Sequence, residues 1–317
     1  MSETSVPLKN MKLIFYMYIF LQTLYSVNGN LEVVQDDELM NLIRTEKYVV
    51  VLFSRKYCES CDNYANELTA LREDLVETLN AWVVKVENSQ MTRLYSPDLE
   101  PVLVFFRHGI PLLYDGPLND ELILHTFTSN KDPVTKELTD ETFEHLTQAA
   151  TGATTGDWFV LFYTPDCVDC TRLQARWEAV GAQLKSRVNV ARVNRATTGA
   201  ATARRFDVFN VPTFILFRQG KMYRYQIQKY DVTSFVDFAK SWYKNVTPER
   251  VPVPKSPFDD FTAMIADYLR ENPWVWQIGF GTFILGVIAS FFTRHTQPVP
   301  EKKKPSKKDK KEKTKDK

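Results

Sequence analysis

Four cysteines fall into two Cys-x-x-Cys pairs, Cys58/Cys61 and Cys167/Cys170, with none left over. Two thiols at this spacing can share a metal ion, or they can pass electrons by making and breaking a disulfide. A zinc site separates its two Cys-x-x-Cys knuckles by roughly 15–20 residues. The gap from Cys61 to Cys167 is far wider, so dithiol–disulfide chemistry is the better reading. His108, His125, His145 and His295 show no metal-ligand spacing, and neither a metal nor another cofactor is expected.

Each pair needs an element to present it. Ahead of the second pair, Trp158, Phe159, Val160, Leu161 and Phe162 form an apolar run that ends in a turn at Pro165. After it, Leu173, Trp177 and Val180 recur at helical spacing. The pattern is strand, tight turn, helix, with Cys167 in the helix's first turn. Unpaired N–H groups and the helix dipole stabilise a thiolate there, so Cys167 is expected to have a depressed pKa and act as the nucleophile. Cys170, one turn on, lies on the same face and can close a disulfide with it. The first pair repeats the pattern, with an apolar strand over 48–53 and a helical stretch to about residue 79.

Phe162-Tyr163-Thr164-Pro165 before Cys-x-x-Cys, and Val211-Pro212-Thr213 before the apolar run 214–217, resemble the two signatures of thioredoxin-fold domains of the protein disulfide isomerase family. The resemblance implies that Pro212 is cis and faces the disulfide. Glu100-Pro101 ahead of 102–106 repeats the pattern, which makes Pro101 the equivalent candidate. It also implies that Cys58 and Cys167 attack and that Cys61 and Cys170 resolve the mixed disulfide.

The sequence departs from that family where the chemistry is tuned. The family places Gly-His between its cysteines, whereas Glu59-Ser60 and Val168-Asp169 stand here. A carboxylate beside a thiol disfavours the thiolate. Asp166 adds a second negative charge at Cys167, while Arg55 and Lys56 push the other way at Cys58, which makes Cys58 the more acidic thiol on charge alone. The buried acid the family carries six residues before its first cysteine is replaced by Leu52 and Leu161, so slow resolution of mixed disulfides is expected unless water or another group serves. Lys229 falls where the family has a basic residue after the last strand.

The order strand, Cys-x-x-Cys helix, strand, Pro-strand, hairpin, helix occurs twice, which reads as a tandem duplication. The expected architecture is α/β: two tandem thioredoxin folds, each a central mixed sheet flanked by helices, plus one transmembrane helix. Residues 1–29 read as a signal peptide, with Lys9 and Lys12 before an apolar run and small residues Val27 and Gly29 ahead of the cut; Met11 is an alternative start. An oxidising compartment follows. The first domain is placed at 30–132 and the second, opening with a helix over 139–146, at 133–245. Asn245-Val246-Thr247 is a glycosylation sequon.

Residues 246–273 read as a proline-rich linker and an amphipathic helix that lies on a membrane or packs on the second domain. The apolar run 274–293 reads as a single span. Beyond it, a tail over 294–317 holds ten Lys and one Arg against four carboxylates, +7 of a net charge of +1, which leaves −6 for the rest. That asymmetry argues against a nucleic-acid surface on the folded part. It also orients the tail to the cytosol, where Lys313 and Lys315 resemble a dilysine retrieval signal of endoplasmic reticulum membrane proteins. Signal, span and tail together resemble the transmembrane group of disulfide isomerases.

Two functions fit. One is a membrane-anchored thiol–disulfide oxidoreductase acting on client polypeptides with thiols or disulfides, with membrane lipid and coat proteins at its tail as further partners. The other is a thioredoxin-fold chaperone or adaptor whose Cys pairs are static disulfides.

Overall fold

The computed structural model describes residues 30–96, 100–152, 155–254 and 257–295. In chain order the first half runs β1 (Glu32–Val33), α1 (Asp36–Thr45), β2 (Tyr48–Ser54), α2 (Glu59–Leu79), β3 (Trp82–Glu87), α3 (Thr92–Tyr95), β4 (Val102–Arg107), β5 (Ile110–Leu113) and α4 (Asp120–Ser129). The second half runs β6 (Lys136–Leu138), α5 (Thr142–Thr147), β7 (Asp157–Tyr163), α6 (Val168–Leu184), β8 (Val188–Asn194), α7 (Ala200–Arg205), β9 (Thr213–Arg218), β10 (Lys221–Arg224), α8 (Val232–Lys240) and β11 (Glu249–Arg250). Then come α9 (Pro257–Glu271) and α10 (Pro273–His295).

Two sheets form, ordered β1-β3-β2-β4-β5 and β11-β10-β9-β7-β8-β6. In each, the strand before the Cys-x-x-Cys helix pairs in parallel with the next strand and antiparallel with the proline-led one. The sheets fit tandem thioredoxin folds. β2 is buried along its whole length, as a central strand covered on both faces must be, and its side chains alternate between two cores. Val50 and Leu52 meet Leu68, Leu75 and Phe127 on one face. Val49, Val51 and Phe53 meet Leu39, Tyr95 and Phe106 on the other. Both hairpins turn on residue pairs with positive φ, His108-Gly109 and Gln219-Gly220, the backbone that matches strand twist in two-residue loops. Gly152 has φ +70°, and a Cβ there would lie 2.7 Å from the Gly220 amide nitrogen, so the chain passes this hairpin only as glycine.

Several expectations shift. The helix expected over 139–146 begins at Thr142, with Thr139 and Thr142 exchanging side-chain-to-backbone hydrogen bonds ahead of it. Asp140 instead accepts from the Ala201 and Thr202 amides at the start of α7. The proline-rich linker contains β11, which pairs with β10 and is pinned by the Arg224–Glu249 ion pair.

The chain divides into two compact units, one ending at Pro254 and one starting at Lys255. Within the first, α6 of the second half packs on β5 and α3 of the first, and Ala175 joins the core cluster of Val51, Tyr95 and Phe106. Arg107 on β4 has no exposed side-chain surface; its Nη2 donates to Glu178 Oε2 on α6 at 2.7 Å. Its Nη1 donates to the Asn130 and Asp132 carbonyls, and Glu178 accepts from the Val134 and Thr135 amides. One buried ion pair therefore ties a strand of the first half, the connecting segment and the second Cys-x-x-Cys helix together.

The second unit holds α9 and α10. The run 274–293 lies within α10, a 23-residue helix. Among the described residues no helix is long and apolar enough to cross a membrane. The side chains of Trp276, Phe280, Phe291 and Phe292 lie outside the described residues, as do 1–29, Lys313 and Lys315.

Candidate active site

Each Cys pair heads a long helix, and in both the first cysteine is the N-cap. Cys58 and Cys167 have extended backbones, and their Sγ atoms accept the amide hydrogens of Cys61 and Cys170, at 3.2 and 3.1 Å. The helix thus offers a backbone donor to the sulfur at the positive end of its dipole. Both pairs are closed as disulfides with Cα–Cα distances of 5.2 Å. Cys58 and Cys167 are half-exposed, whereas Cys61 and Cys170 are buried at 1% and 5% exposure. That asymmetry suits an incoming disulfide to the first sulfur only. The Glu100–Pro101 and Val211–Pro212 peptide bonds are both cis.

Three of the six charged residues expected to tune the thiols, Arg55, Asp169 and Lys229, form ion pairs with residues outside that set. Arg55 Nε lies 3.5 Å from Glu100 Oε2, so the cation that was to favour the Cys58 thiolate is shared with the carboxylate preceding Pro101. Asp169 pairs with Arg172 at 3.2 Å, which offsets its charge beside Cys167. Lys56, Glu59 and Asp166 are exposed. Lys229 pairs with Asp231, the N-cap of α8, at 3.4 Å. Burial pushes the Asp231 carboxyl up, but hydrogen bonds from Ser234 and the Lys229 ammonium outweigh it and hold the group below the usual range. Leu52 and Leu161 are buried and apolar, at 0% and 3% exposure.

Three residues escaped the sequence reading. Arg107 and Glu178 grip α6 through its middle, and Thr135 stands in the segment they hold. The signal for Glu178 was present: a lone carboxylate among Trp177, Ala179, Val180 and Gly181, inside the apolar face of a helix. Beneath Cys170 lies a cavity of about 220 Å³, walled by Leu161, Trp177, Thr135, Gln174 and Glu178. Tyr163 and Arg192 also line it; burial, then the nearby Glu137, pushes the Tyr163 hydroxyl up. Across α6, a second cavity of about 190 Å³ is lined by Met40, Ile43, Met91, Tyr95 and Gln174. No cluster of metal ligands occurs among the described residues.

With this geometry the comparisons with known proteins agree. The thioredoxin family model matches residues 134–241. A thioredoxin domain-containing protein of Theileria parva is 38% identical over 154 residues, 49% of this chain and 69% of that protein. The chain belongs to the thioredoxin family. Protein disulfide-isomerase A4 of Rattus norvegicus is 26% identical over 220 residues, covering 64% of this chain and 33% of that protein. Thioredoxin-related transmembrane protein 1 of Homo sapiens is 33% identical over 116 residues, covering 35% of this chain and 37% of that protein. The chain therefore spans about a third of the length of these last two thioredoxin relatives. The thioredoxin match covers the Cys167/Cys170 half, and the Cys58/Cys61 half repeats its topology.

Proposed function

We propose that this chain is a membrane-attached thiol–disulfide oxidoreductase of the endoplasmic reticulum, reducing or isomerising disulfides in client polypeptides. The observation that carries the reading is the same at both sites: a half-exposed N-cap cysteine bonded to a buried partner one turn on. Cys58 and Cys167 attack a client disulfide, and Cys61 and Cys170 release the mixed disulfide. Relatives named as a protein disulfide-isomerase and as a thioredoxin-related transmembrane protein support it. Turnover of a disulfide-bonded protein such as insulin tests it directly. Turnover should be lost only when both Cys pairs are replaced by serine, and no turnover from either pair contradicts the reading.

Domain limits of 30–132 and 133–245 go with this reading. Membrane attachment rests on α10, where Phe283, Ile284, Leu285, Val287 and Ile288 are all exposed, and on the lysine-rich tail that follows. A single type I span would place the thioredoxin folds in the lumen, with Lys313 and Lys315 read in the cytosol by coat proteins. Asn245, exposed at the end of the 3₁₀ turn Trp242–Asn245, would be the glycosylated residue. Alkaline carbonate extraction decides attachment: the full chain should stay with the membrane pellet, and release into the supernatant contradicts it.

A second reading is favoured by Leu52 and Leu161. With apolar side chains buried where the family has a proton-accepting acid, the pairs would be static disulfides in a chaperone or adaptor. Such a chain binds unfolded polypeptides with equal affinity whether its cysteines are present or replaced.

A further inference from the structure

A buried thiol cannot attack a disulfide until its proton has somewhere to go. Resting on the oxidoreductase reading, release of a client from Cys167 requires the Cys170 Sγ–H to ionise at 5% exposure, where burial disfavours the thiolate. On the strand side the cavity is lined by Leu161, which can take no proton, by Tyr163, whose hydroxyl donates to Glu137, and by Arg192, which pairs with the same Glu137. What Cys170 does have beneath it is the cavity of about 220 Å³. Water occupies roughly 30 Å³ apiece in the liquid, so several fit, provided polar groups hold them.

The lining supplies such groups. Thr135 Oγ1 is buried and has no hydrogen-bond partner among the described residues, which is the mark of a group that water satisfies. Gln174 and Arg192 add further polar surface, and Glu178 is the one carboxylate among the lining residues. Glu178 Oε2 is occupied by Arg107 and the Val134 amide. Among the described residues Oε1 receives only the Thr135 amide, at 3.2 Å, and a carboxylate oxygen has two lone pairs. One acceptor direction remains.

We infer that the cavity under Cys170 is hydrated and carries the Cys170 proton through water to Glu178, which serves as the general base of client release. In that step the Cys170 S–H bond breaks and its proton passes along the water to Glu178 Oε1. The Cys170 thiolate attacks Cys167 Sγ, the Cys167–Cys170 disulfide forms, and the bond from Cys167 to the client breaks. The client leaves as a thiolate and takes a proton from solvent. Electrons balance between the client sulfur, which is reduced, and Cys170, which is oxidised.

The test uses the full chain with Cys58 and Cys61 replaced by serine, so that only the second pair reacts. A peptide with a single disulfide serves as client; acid-quenched mass spectrometry follows attack as the Cys167–client mixed disulfide appears and release as that species decays. Glu178→Gln should lower the ratio of release rate to attack rate by about 100-fold at pH 7, the scale of a lost general base. Release should then rise about tenfold per pH unit towards the ordinary thiol value near 8.5, because hydroxide must take the proton instead. Leu161→Glu in the same chain should restore the ratio and flatten the profile. If Glu178→Gln does not fold because Arg107 loses its partner, Thr135→Val with Gln174→Leu dries the cavity while keeping the ion pair, and should show the same losses. A ratio within about threefold of the parent in the folded variants overturns the inference. Absence of the attack step in the parent is a different result: it refutes the oxidoreductase reading and this inference with it.

Discussion

Replacing Arg107 by methionine should unfold the two thioredoxin halves together. The substitution keeps the aliphatic bulk but removes a guanidinium with no exposed surface, leaving the Glu178 carboxylate buried with only the Val134 and Thr135 amides. It also orphans the Asn130 and Asp132 carbonyls. Breaking one side of a buried ion pair costs about 3–5 kcal/mol. Arg107 Nε already has no hydrogen-bond partner among the described residues, so the intact pair contributes less than its removal costs. For a unit of this size each kcal/mol moves the thermal midpoint by about 2–4 °C, so Arg107→Met should melt about 6–20 °C lower. Arg172→Met is the control, since the Arg172–Asp169 pair is 48% and 69% exposed and such pairs contribute about 0–1 kcal/mol. Calorimetry and urea titration monitored by tryptophan fluorescence, with both disulfides intact, read the effect. A midpoint within about 2 °C of wild type would refute the reasoning. So would two separate transitions in the wild-type chain, because α6 then could not be a shared element.

Three further outcomes are expected. Asp231→Ala removes the N-cap of α8 and should cost about 1 kcal/mol at pH 7. The folded Asp231 carboxyl titrates below its unfolded value near 3.9, so its contribution is full above that value and is lost as pH falls through the folded one; the gap between variant and wild type should close below about pH 4, and a gap unchanged at pH 2 contradicts the assignment. Gly152→Ala places a Cβ against Gly220 at positive φ and should destabilise by about 1–3 kcal/mol in urea titration, whereas Gly156→Ala, also at positive φ but with its nearest atom 3.4 Å away, should cost less. Asn245→Gln should abolish the glycan removed by endoglycosidase from chain made in microsomes; an unchanged electrophoretic shift would place the glycan elsewhere.

The strands carrying the site were legible because each is a dense apolar run bounded by turn residues, as in 48–53 and 158–163. The two helix starts were legible from Cys-x-x-Cys following such a run. What escaped depends on partners distant in sequence. β1, β6 and β11 are two or three residues long, with no periodicity to detect, and exist because β3, β8 and β10 offer them an edge. Arg107 follows the apolar run 102–106 with no sequence sign of a partner, yet it is buried by a helix residue 71 positions later. The charges around the cysteines were visible but not all of their pairing: Arg55 finds Glu100 only once the loops are folded, whereas Asp169 meets Arg172 one turn on along α6.

The central claim is that Cys58 and Cys167 attack client disulfides and that their buried partners release them. Trapping in secretory-pathway extracts tests this most directly, using the full chain with Cys61→Ala or Cys170→Ala and rapid acid alkylation. The account predicts mixed disulfides on Cys58 in the first variant and on Cys167 in the second, each abolished when the attacking cysteine is also replaced. If neither variant accumulates mixed disulfides, the pairs are static cross-links and the chain is a thioredoxin-fold adaptor.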